Sequence, residues 1–209
     1  MPTDNLVHVI DDDDAVRDSL EFLLRSAKIE VRSYESAVAF LAELPAGSAG
    51  CIITDVRMPE LSGVDLLRRL RNLGLSLPVI VITGHGDVQL AVEAMKAGAV
   101  DFFEKPFDDD LLLASVRAAL GRAEQHAHRE AEHAQLLEKL ASLSAREREV
   151  LEGLVAGKAN KVIAFDLSIS PRTVEIYRAN VMTKMAAKSL SELVRLALVA
   201  GILKGTAEA

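Results

Sequence analysis

The sequence predicts an α/β domain with a five-stranded parallel sheet, followed by a small all-α domain of four helices. Over the first 120 residues short apolar runs alternate with amphipathic segments, which is the pattern of repeated βαβ units. After Leu140 the apolar residues recur at helical spacing in short segments. Between Gly121 and Leu140 the chain has neither Gly nor Pro, so a helical connection is expected. The predicted boundaries are 1–122, 123–141 for the linker, and 142–209.

Strands and helices of the first domain follow from this alternation. Apolar runs predict strands at 6–10, 30–34, 50–54, 78–83 and 100–104. Amphipathic segments predict helices at 16–26, 36–44, 63–73, 88–97 and 108–123. The fifth helix is expected to run on into the linker or to be followed there by a new helix. Gly98 follows a helical segment and suits a left-handed C-terminal cap.

Capping signals delimit the first half of the second domain. Ser144 and Glu147 have the spacing of a capping box, which predicts a helix that ends near Gly157. Asn160 is expected to cap a short helix over 161–167.

The second half of this domain begins with another cap. Ser170 as N-cap and Pro171 at the first helical position predict a longer helix that ends near Met185. A last helix is expected over about 191–200. A short helix, a three-residue turn and a longer helix are typical of a helix-turn-helix.

Composition indicates an ordinary globular protein, because 50% of the 209 residues are apolar and 26% are charged. No window offers about 18 unbroken apolar residues, and the N-terminus lacks a secretion signal. We therefore expect a cytoplasmic protein without membrane contact. The single Cys51 cannot form an internal disulfide, and a small buried side chain is its expected role.

The net charge of −7 is unevenly spread along the chain. Residues 140–209 hold ten Lys and Arg against seven Asp and Glu, whereas residues 1–139 hold fourteen against twenty-four. Six basic residues lie between Lys158 and Lys188, with only two acidic residues among them. An acidic domain joined to a weakly basic one fits a second domain that contacts phosphate.

Residues suited to phosphoryl chemistry follow four of the predicted strands. Asp11 and Asp12 follow the first, Asp55 the third, Thr83 ends the fourth, and Lys105 follows the fifth. The carboxyl ends of parallel strands line one crevice, so these side chains are expected to converge there. Oxygen ligands of this kind suit Mg²⁺, and a carboxylate can accept a phosphoryl group. The sequence therefore predicts a Mg²⁺ site beside a phosphoryl acceptor, with Asp55 as the acceptor.

Each residue also has a structural alternative. An acidic residue after a strand often caps the next helix, and Asp13 or Asp14 suits that role. Taken singly, Thr83 and Lys105 have ordinary surface or strand-end roles. The hypothesis of a site depends on all of them following successive strands on one side of the sheet.

Four segments together carry a family resemblance, namely VHVIDDDDAVR, CIITDVRMPELSGVDLL, PVIVITGHGD and AVDFFEKPF. Over about residues 1–120 the chain resembles the receiver domain of two-component response regulators, which has a flavodoxin-like fold. The resemblance implies phosphorylation of Asp55 by a sensor histidine kinase. It also implies that Mg²⁺ or Mn²⁺ is bound by Asp11, Asp12, Asp55 and the backbone carbonyl of Arg57. Positions 57 and 85 vary in this family and influence the lifetime of the phosphorylated state.

The resemblance further implies a switch. Lys105 and Thr83 would contact the phosphoryl group, and Thr83 would be coupled to rotation of Phe102. The Lys105–Pro106 bond is expected to be cis. A change in the surface formed by the fourth helix and fifth strand would follow, and we expect phosphorylation-dependent homodimerisation there, through Val88, Val92 and Lys96.

The segment LSAREREVLEGLVAGKANKVIAFDLSISPRTVEIYRANVMTKM resembles the LuxR-type, or GerE-type, DNA-binding domain. The helix from Pro171 would be the recognition helix in the major groove. Glu175, Ile176 and Ala179 are expected to face bases, although Glu175 could equally pair with Arg178. The remaining residues expected at the DNA surface, mostly as phosphate contacts, are Lys161, Arg172, Thr173, Tyr177, Arg178 and Lys184.

Together the two resemblances indicate a phosphorylation-activated transcription regulator of the FixJ-like group, with promoter DNA as partner and no enzymatic activity beyond its own phosphorylation and dephosphorylation. The group implies an activator that works with RNA polymerase, a haem-containing oxygen-sensing kinase, and nitrogen-fixation genes as targets. A phosphatase is one alternative, but Val56 and Arg57 follow Asp55 where such enzymes commonly place a second acid. A relay whose C-terminal helices bind protein is the other.

Overall fold

Five parallel strands form one sheet in the order β2-β1-β3-β4-β5. The structure is a computed structural model and describes residues 6–44, 49–84 and 88–202. The strands are β1 Leu6–Ile10, β2 Glu30–Tyr34, β3 Cys51–Asp55, β4 Val79–Thr83 and β5 Asp101–Glu104. This agrees with the predicted strands to within one residue and confirms the predicted fold class. Thr54 pairs with Ile10 on one side, and Asp55 pairs with Ile82 on the other, so the strand ends lie side by side.

Helices cover both faces of this sheet. They are α1 Asp14–Ser26, α2 Ala37–Glu43, α3 Gly63–Asn72, α4 Val88–Ala97 and α5 Asp109–Ala141. Successive side chains of a strand point to opposite faces, so the buried strand β3 is apolar on both. Ile52 packs in the cluster that includes α2, α3 and α4, while Ile53 packs in the cluster that includes α1 and α5.

Side-chain caps fix where several helices begin. Asp13 is the N-cap of α1 and accepts a hydrogen bond from the Ala15 N–H. Ser36 and Ser62 cap α2 and α3 in the same way. Gly98 has φ +102° after α4, as expected for a left-handed cap.

One continuous helix, α5, runs for 33 residues and contains the whole of the predicted linker. By their internal contacts the residues form two units, Met1–Ala127 and His128–Ala209, and α5 contributes to both. None of the helices in the described part of the chain combines the length and apolar character needed to cross a bilayer.

The second unit contains four further helices, α6 Ala145–Val155, α7 Asn160–Asp166, α8 Pro171–Lys184 and α9 Leu190–Val199. Ser144 and Glu147 form the predicted capping box of α6, and Ser170 caps α8 with Pro171 at its start. The prediction for Asn160 was wrong, because Ala159 is the N-cap of α7 and Asn160 is already helical.

A separate apolar core holds these helices together. Val150 and Leu151 of α6 pack with Val174 and Val181 of α8, and Leu193 of α9 joins the same cluster. The C-terminal part of α5 contributes Leu136 and Leu140 to it. Burying such side chains stabilises the unit by about 1.5–3 kcal/mol each relative to exposure. The short helices of this unit therefore owe their stability to packing rather than to length.

Candidate functional site

The carboxyl ends of the strands bring four predicted site residues into one region. Asp11 follows β1, Asp55 ends β3, Thr83 ends β4 and Lys105 follows β5. The side chains of Asp11 and Asp55 are almost fully buried, with 2% and 9% of their surface exposed. Thr83 is buried too. The Lys105 N–H donates to the Thr83 carbonyl at 2.7 Å, which holds the chain after β5 against the end of β4.

Lys105 connects the two buried carboxylates. Its Nζ donates to Oδ2 of Asp11 at 2.7 Å and to Oδ1 of Asp55 at 2.9 Å. The Lys105–Pro106 peptide bond is cis, as predicted. The ammonium therefore partly neutralises two acidic groups that the fold places close together.

The pKa values of this cluster show competing effects. Burial raises the pKa of Asp11, while the hydrogen bond from Lys105 opposes that rise. For Lys105, burial lowers the pKa, but the hydrogen bonds and charges of Asp11 and Asp55 outweigh it, so the net direction is upward. Lys105 is therefore held in its charged form by the two carboxylates.

Backbone donors orient the remaining carboxylate oxygens. The Arg57 N–H donates to Oδ2 of Asp55 at 2.6 Å, and the Asp13 N–H donates to Oδ1 of Asp11 at 3.0 Å. Arg17 Nη1 donates to the backbone carbonyl of Asp11 at 2.6 Å. Arg17 was not predicted to lie near the site, because nothing in its sequence position indicates a contact with the turn before its own helix.

The predicted convergence of three carboxylates is only partly observed. Asp12 is exposed and lines an open cavity of about 580 Å³ together with Arg57. Among the residues that the structure describes, no three acidic, histidine or cysteine side chains come together as a metal-binding group. Mg²⁺ commonly uses one or two carboxylates and completes its shell with water, so Asp11 and Asp55 fit such an ion.

The second predicted switch residue, Phe102, pairs with Val81 of β4, two residues before Thr83. Phe102 on β5 is half-buried and packs against the core cluster on the α3 and α4 side. Val88, Val92 and Lys96 follow one another at four-residue spacing along α4, and all three are exposed. Position 85 lies outside the described residues. The α4 surface thus presents two exposed valines, 75% and 46% accessible, and Met95 of the same helix is exposed as well.

The predicted recognition helix α8 presents a mixed surface. Ile176 is 54% exposed, so its side chain is accessible to a partner. Glu175 has Arg172 as its neighbour, with Nη1 and Oε2 3.5 Å apart, so the alternative pairing with Arg178 is not the one observed. The other predicted DNA-facing residues that are exposed are Lys161, Arg172 and Ala179, and those that are half-buried are Thr173, Tyr177 and Arg178.

The prediction that Lys184 contacts DNA requires a correction, because its ammonium is bound by other residues of the same domain. Its Nζ donates to Oε2 of Glu147 at 2.7 Å and to the Ser142 carbonyl at 3.1 Å. The hydrogen bond from Lys184, with one from the Ser144 N–H, lowers the pKa of Glu147 to about 2. This contact joins the end of α8 to the capping box of α6. The sequence did not reveal it, since the two residues are 37 positions apart.

Comparisons with known proteins agree with this geometry. Residues 7–117 match the family "Response regulator receiver domain", and residues 141–197 match "Bacterial regulatory proteins, luxR family". Over 202 residues the chain is 59% identical to the transcriptional regulatory protein FixJ of Azorhizobium caulinodans, covering 97% of this chain and 96% of the relative.

Two further relatives extend the comparison. The response regulator protein TodT of Pseudomonas putida is 45% identical over 191 residues, covering 91% of this chain and 84% of TodT. The crystal structure of full-length FixJ from B. japonicum is 57% identical, with a TM-score of 0.58, and covers 95% of this chain and 98% of that one. The chain therefore belongs to the two-component response regulators of the FixJ-like group, with a receiver domain and a LuxR-type DNA-binding domain.

Proposed function

We propose that a sensor histidine kinase phosphorylates this regulator on Asp55 and that phosphorylation activates DNA binding. The observation that carries this proposal is the bridge from Lys105 to Asp11 and Asp55. A buried carboxylate with a cation beside it suits a reaction in which negative charge accumulates on phosphoryl oxygens. The proposed domains are 1–122 for the receiver, 123–141 for the helical linker and 142–209 for the DNA-binding domain.

In the proposed step, a carboxylate oxygen of Asp55 forms a bond to phosphorus while the bond from phosphorus to the kinase histidine nitrogen breaks. The Arg57 N–H donates to Oδ2 of Asp55 and Lys105 Nζ to its Oδ1, so both oxygens are oriented before the reaction. Lys105 would neutralise one phosphoryl oxygen, and the Thr83 hydroxyl would donate to another. This arrangement lowers the barrier mainly by positioning and charge neutralisation.

Mg²⁺ or Mn²⁺ is the proposed cofactor. Asp11, Asp12, Asp55 and the Arg57 carbonyl would hold it, and it would neutralise charge on the phosphoryl oxygens when bound. Asp12 lies at the exposed rim and suits a water-mediated contact better than a direct one.

Coupling to the rest of the molecule would run through Thr83 and Phe102. When the Thr83 hydroxyl is drawn towards the phosphoryl group, Phe102 gains room to rotate inward. Both states must differ by only a few kcal/mol for phosphorylation to shift the population. The exposed α4 surface of Val88, Val92 and Lys96 would then be the contact surface of a homodimer.

DNA recognition is assigned to α8 and the start of α7. The positive end of the α8 dipole favours a phosphate contact, and this helix fits the major groove. Glu175, Ile176 and Ala179 would face bases. The residues proposed for phosphate or flanking contacts are Lys161, Arg172, Thr173, Tyr177 and Arg178. Lys184 would have to leave Glu147 to reach DNA, so a structural role now suits it better.

The finer biological role is supported by the relatives alone. Resemblance to the FixJ-like group, to which the 59% identical FixJ belongs, implies an activator that works with RNA polymerase, a haem-containing oxygen sensor as kinase, and nitrogen-fixation genes as targets. The 45% identity to TodT shows that the same architecture extends to regulators of another name. The target genes therefore need a direct test.

An electrophoretic mobility shift with promoter fragments, with and without acetyl phosphate, tests the proposal. We expect acetyl phosphate with Mg²⁺ to strengthen binding of the wild-type chain and to leave Asp55→Asn unchanged. Mass spectrometry of the same samples should show one added phosphoryl group only where Asp55 is present. If the protein shifts no DNA at low salt, either with or without acetyl phosphate, the DNA-binding role is contradicted. If the shift is equal with and without acetyl phosphate, activation by phosphorylation is contradicted.

A further inference from the structure

A second concave site lies at the other end of the strands from Asp55, where the strands begin. A cavity of about 370 Å³ is bounded by Pro78 and Val79, where β4 begins, and by Val100, just before β5. Thr83 ends the same strand, and a five-residue strand spans about 15 Å, so the cavity is remote from the phosphoryl site. Its volume is in the range of pockets that hold small molecules.

The wall of this cavity combines an apolar floor with two guanidinium groups. Arg71 at the end of α3 and Arg122 on α5 supply the charge, and no Asp or Glu lines the cavity. Neither guanidinium has a hydrogen-bond or ion-pair partner among the residues that the structure describes. The apolar lining is Leu67, Leu70, Leu75, Leu77, Val79 and Val100.

Residues 1–139 hold twenty-four acidic residues against fourteen basic ones, so acidic partners are plentiful. Several basic side chains in the described part of this segment nevertheless lack one, and Arg69 and Arg71 of α3 are among them. Arg68, one turn earlier on α3, has two of them, with Asp65 at 2.9 Å and Glu93 at 2.5 Å. The side chain of Arg71 lies instead over the cavity, whose lining contains no Asp or Glu.

Gly98 makes room for the Arg71 side chain. A Cβ at position 98 would lie 2.5 Å from Nη2 of Arg71, closer than real contacts allow. Gly98 also has φ +102°, which disfavours other residues. The guanidinium thus lies against the backbone of Gly98, at the turn between α4 and β5.

We propose that this cavity binds a small organic carboxylate with an apolar body. Its carboxylate would pair with Arg71 and Arg122, because guanidinium groups match carboxylate geometry. Its body would lie on the leucine side chains. The negative end of the α3 dipole favours a basic residue near the C-terminus of that helix, which accounts for Arg71. It accounts neither for Arg122, which is on another helix, nor for the apolar floor beside both arginines.

Isothermal titration of the full-length protein tests this with three probes: 3-phenylpropanoate, the uncharged 3-phenylpropan-1-ol, and inorganic phosphate. We expect saturable binding of the carboxylate and at least tenfold weaker binding of the alcohol and of phosphate. Arg122→Gln should weaken carboxylate binding about tenfold, the cost of losing one hydrogen bond between charged groups. The matched control is Arg69→Gln, an exposed arginine of α3 that does not line the cavity.

Arg122 is exposed on α5, so its replacement should leave the fold intact, which circular dichroism can verify. Asp55→Asn should bind the carboxylate as the wild type does, because the two sites are at opposite ends of the strands. The proposal is overturned if no probe saturates below 10 mM, if Arg122→Gln and Arg69→Gln bind equally well, or if phosphate binds as tightly as the carboxylate.

Discussion

Lys105 and Asp55 are fifty positions apart in the sequence, yet Nζ of Lys105 lies 2.9 Å from Oδ1 of Asp55. The same ammonium contacts Asp11, so one cation serves two buried acids. A phosphoryl group on Asp55 would compete for that cation with Asp11. The Lys105 bridge therefore determines the charge balance around Asp55 before phosphorylation. Replacing Lys105 is the most direct test of this role.

Replacing Lys105 with Met should slow formation of the acyl phosphate from acetyl phosphate by about a hundredfold or more, the usual size of losing one charge-stabilising donor. Phosphate-affinity electrophoresis over a time course measures this rate. Lys188→Met is the matched control, since Lys188 is exposed and lies in the other unit. An unchanged rate in Lys105→Met would remove Lys105 from the proposed reaction.

Replacing Val92 with Arg should prevent phosphorylation-dependent dimerisation, because it would put charge into a surface proposed to become buried. Sedimentation velocity with beryllofluoride, a phosphoryl analogue, measures the association state. Val38→Arg on α2 is a suitable control, because Val38 is 43% exposed and Val92 46%. A dimer of Val92→Arg under these conditions would show that the α4 surface is not the interface.

The proposed DNA contacts predict two kinds of variant. Arg178→Ala should weaken binding to all sequences and reduce the slope of log K against log salt by about 1, as expected for one lost phosphate contact. Glu175→Ala should relax preference at one base position, with little change in slope. Fluorescence anisotropy at several salt concentrations separates them. Identical behaviour of Arg178→Ala and the α9 control Arg195→Ala would contradict the assignment of Arg178.

The Glu147–Lys184 pair predicts an acid-sensitive second unit. The pKa of Glu147 is lowered from 4.5 to about 2, so the unfolded chain binds the proton more tightly than the folded one. The stabilising contribution is complete above about pH 4.5 and is lost as the pH falls towards 2. Thermal unfolding of Glu147→Gln should start from a lower Tm at pH 7, and its deficit against wild type should shrink below pH 4. A constant deficit across that range would contradict the pairing.

His8 predicts a separate pH effect in the first unit. It is buried beside Tyr34 and Phe40, and burial, with the charge of Arg32, lowers its pKa from 6.5 to about 4. Here too the unfolded chain binds the proton more tightly, so stability falls as the pH drops from 6.5 towards 4.

Between pH 7 and pH 5.5 this His8 contribution amounts to roughly 1 kcal/mol. Urea unfolding of wild type and His8→Leu at both pH values measures it, and the variant should lose less stability. The exposed His128, replaced by Gln, should behave as wild type does. Equal losses in His8→Leu and wild type would show that His8 does not cause the effect.

The sequence by itself determined the strands and helices and which residues follow each strand. Apolar runs, the capping box at Ser144 and the N-cap at Ser170 act over a few residues, so they can be read locally. The rule that parallel strands end at one edge placed Asp11, Asp55 and Lys105 in one region before any coordinates. Asn160 shows the limit of local reading, because a capping residue type there is already inside the helix.

Only the tertiary structure decided which side chains meet. The bridge of Lys105 across two acids, the bond from Lys184 to Glu147 and the seat of Arg71 over Gly98 all join residues distant in the chain. Such pairs depend on helix packing and on the rotamer that each long side chain adopts, and local pattern specifies neither. The ends of the parallel strands thus determine where the phosphoryl site lies, whereas side-chain packing determines which charged groups contact one another there.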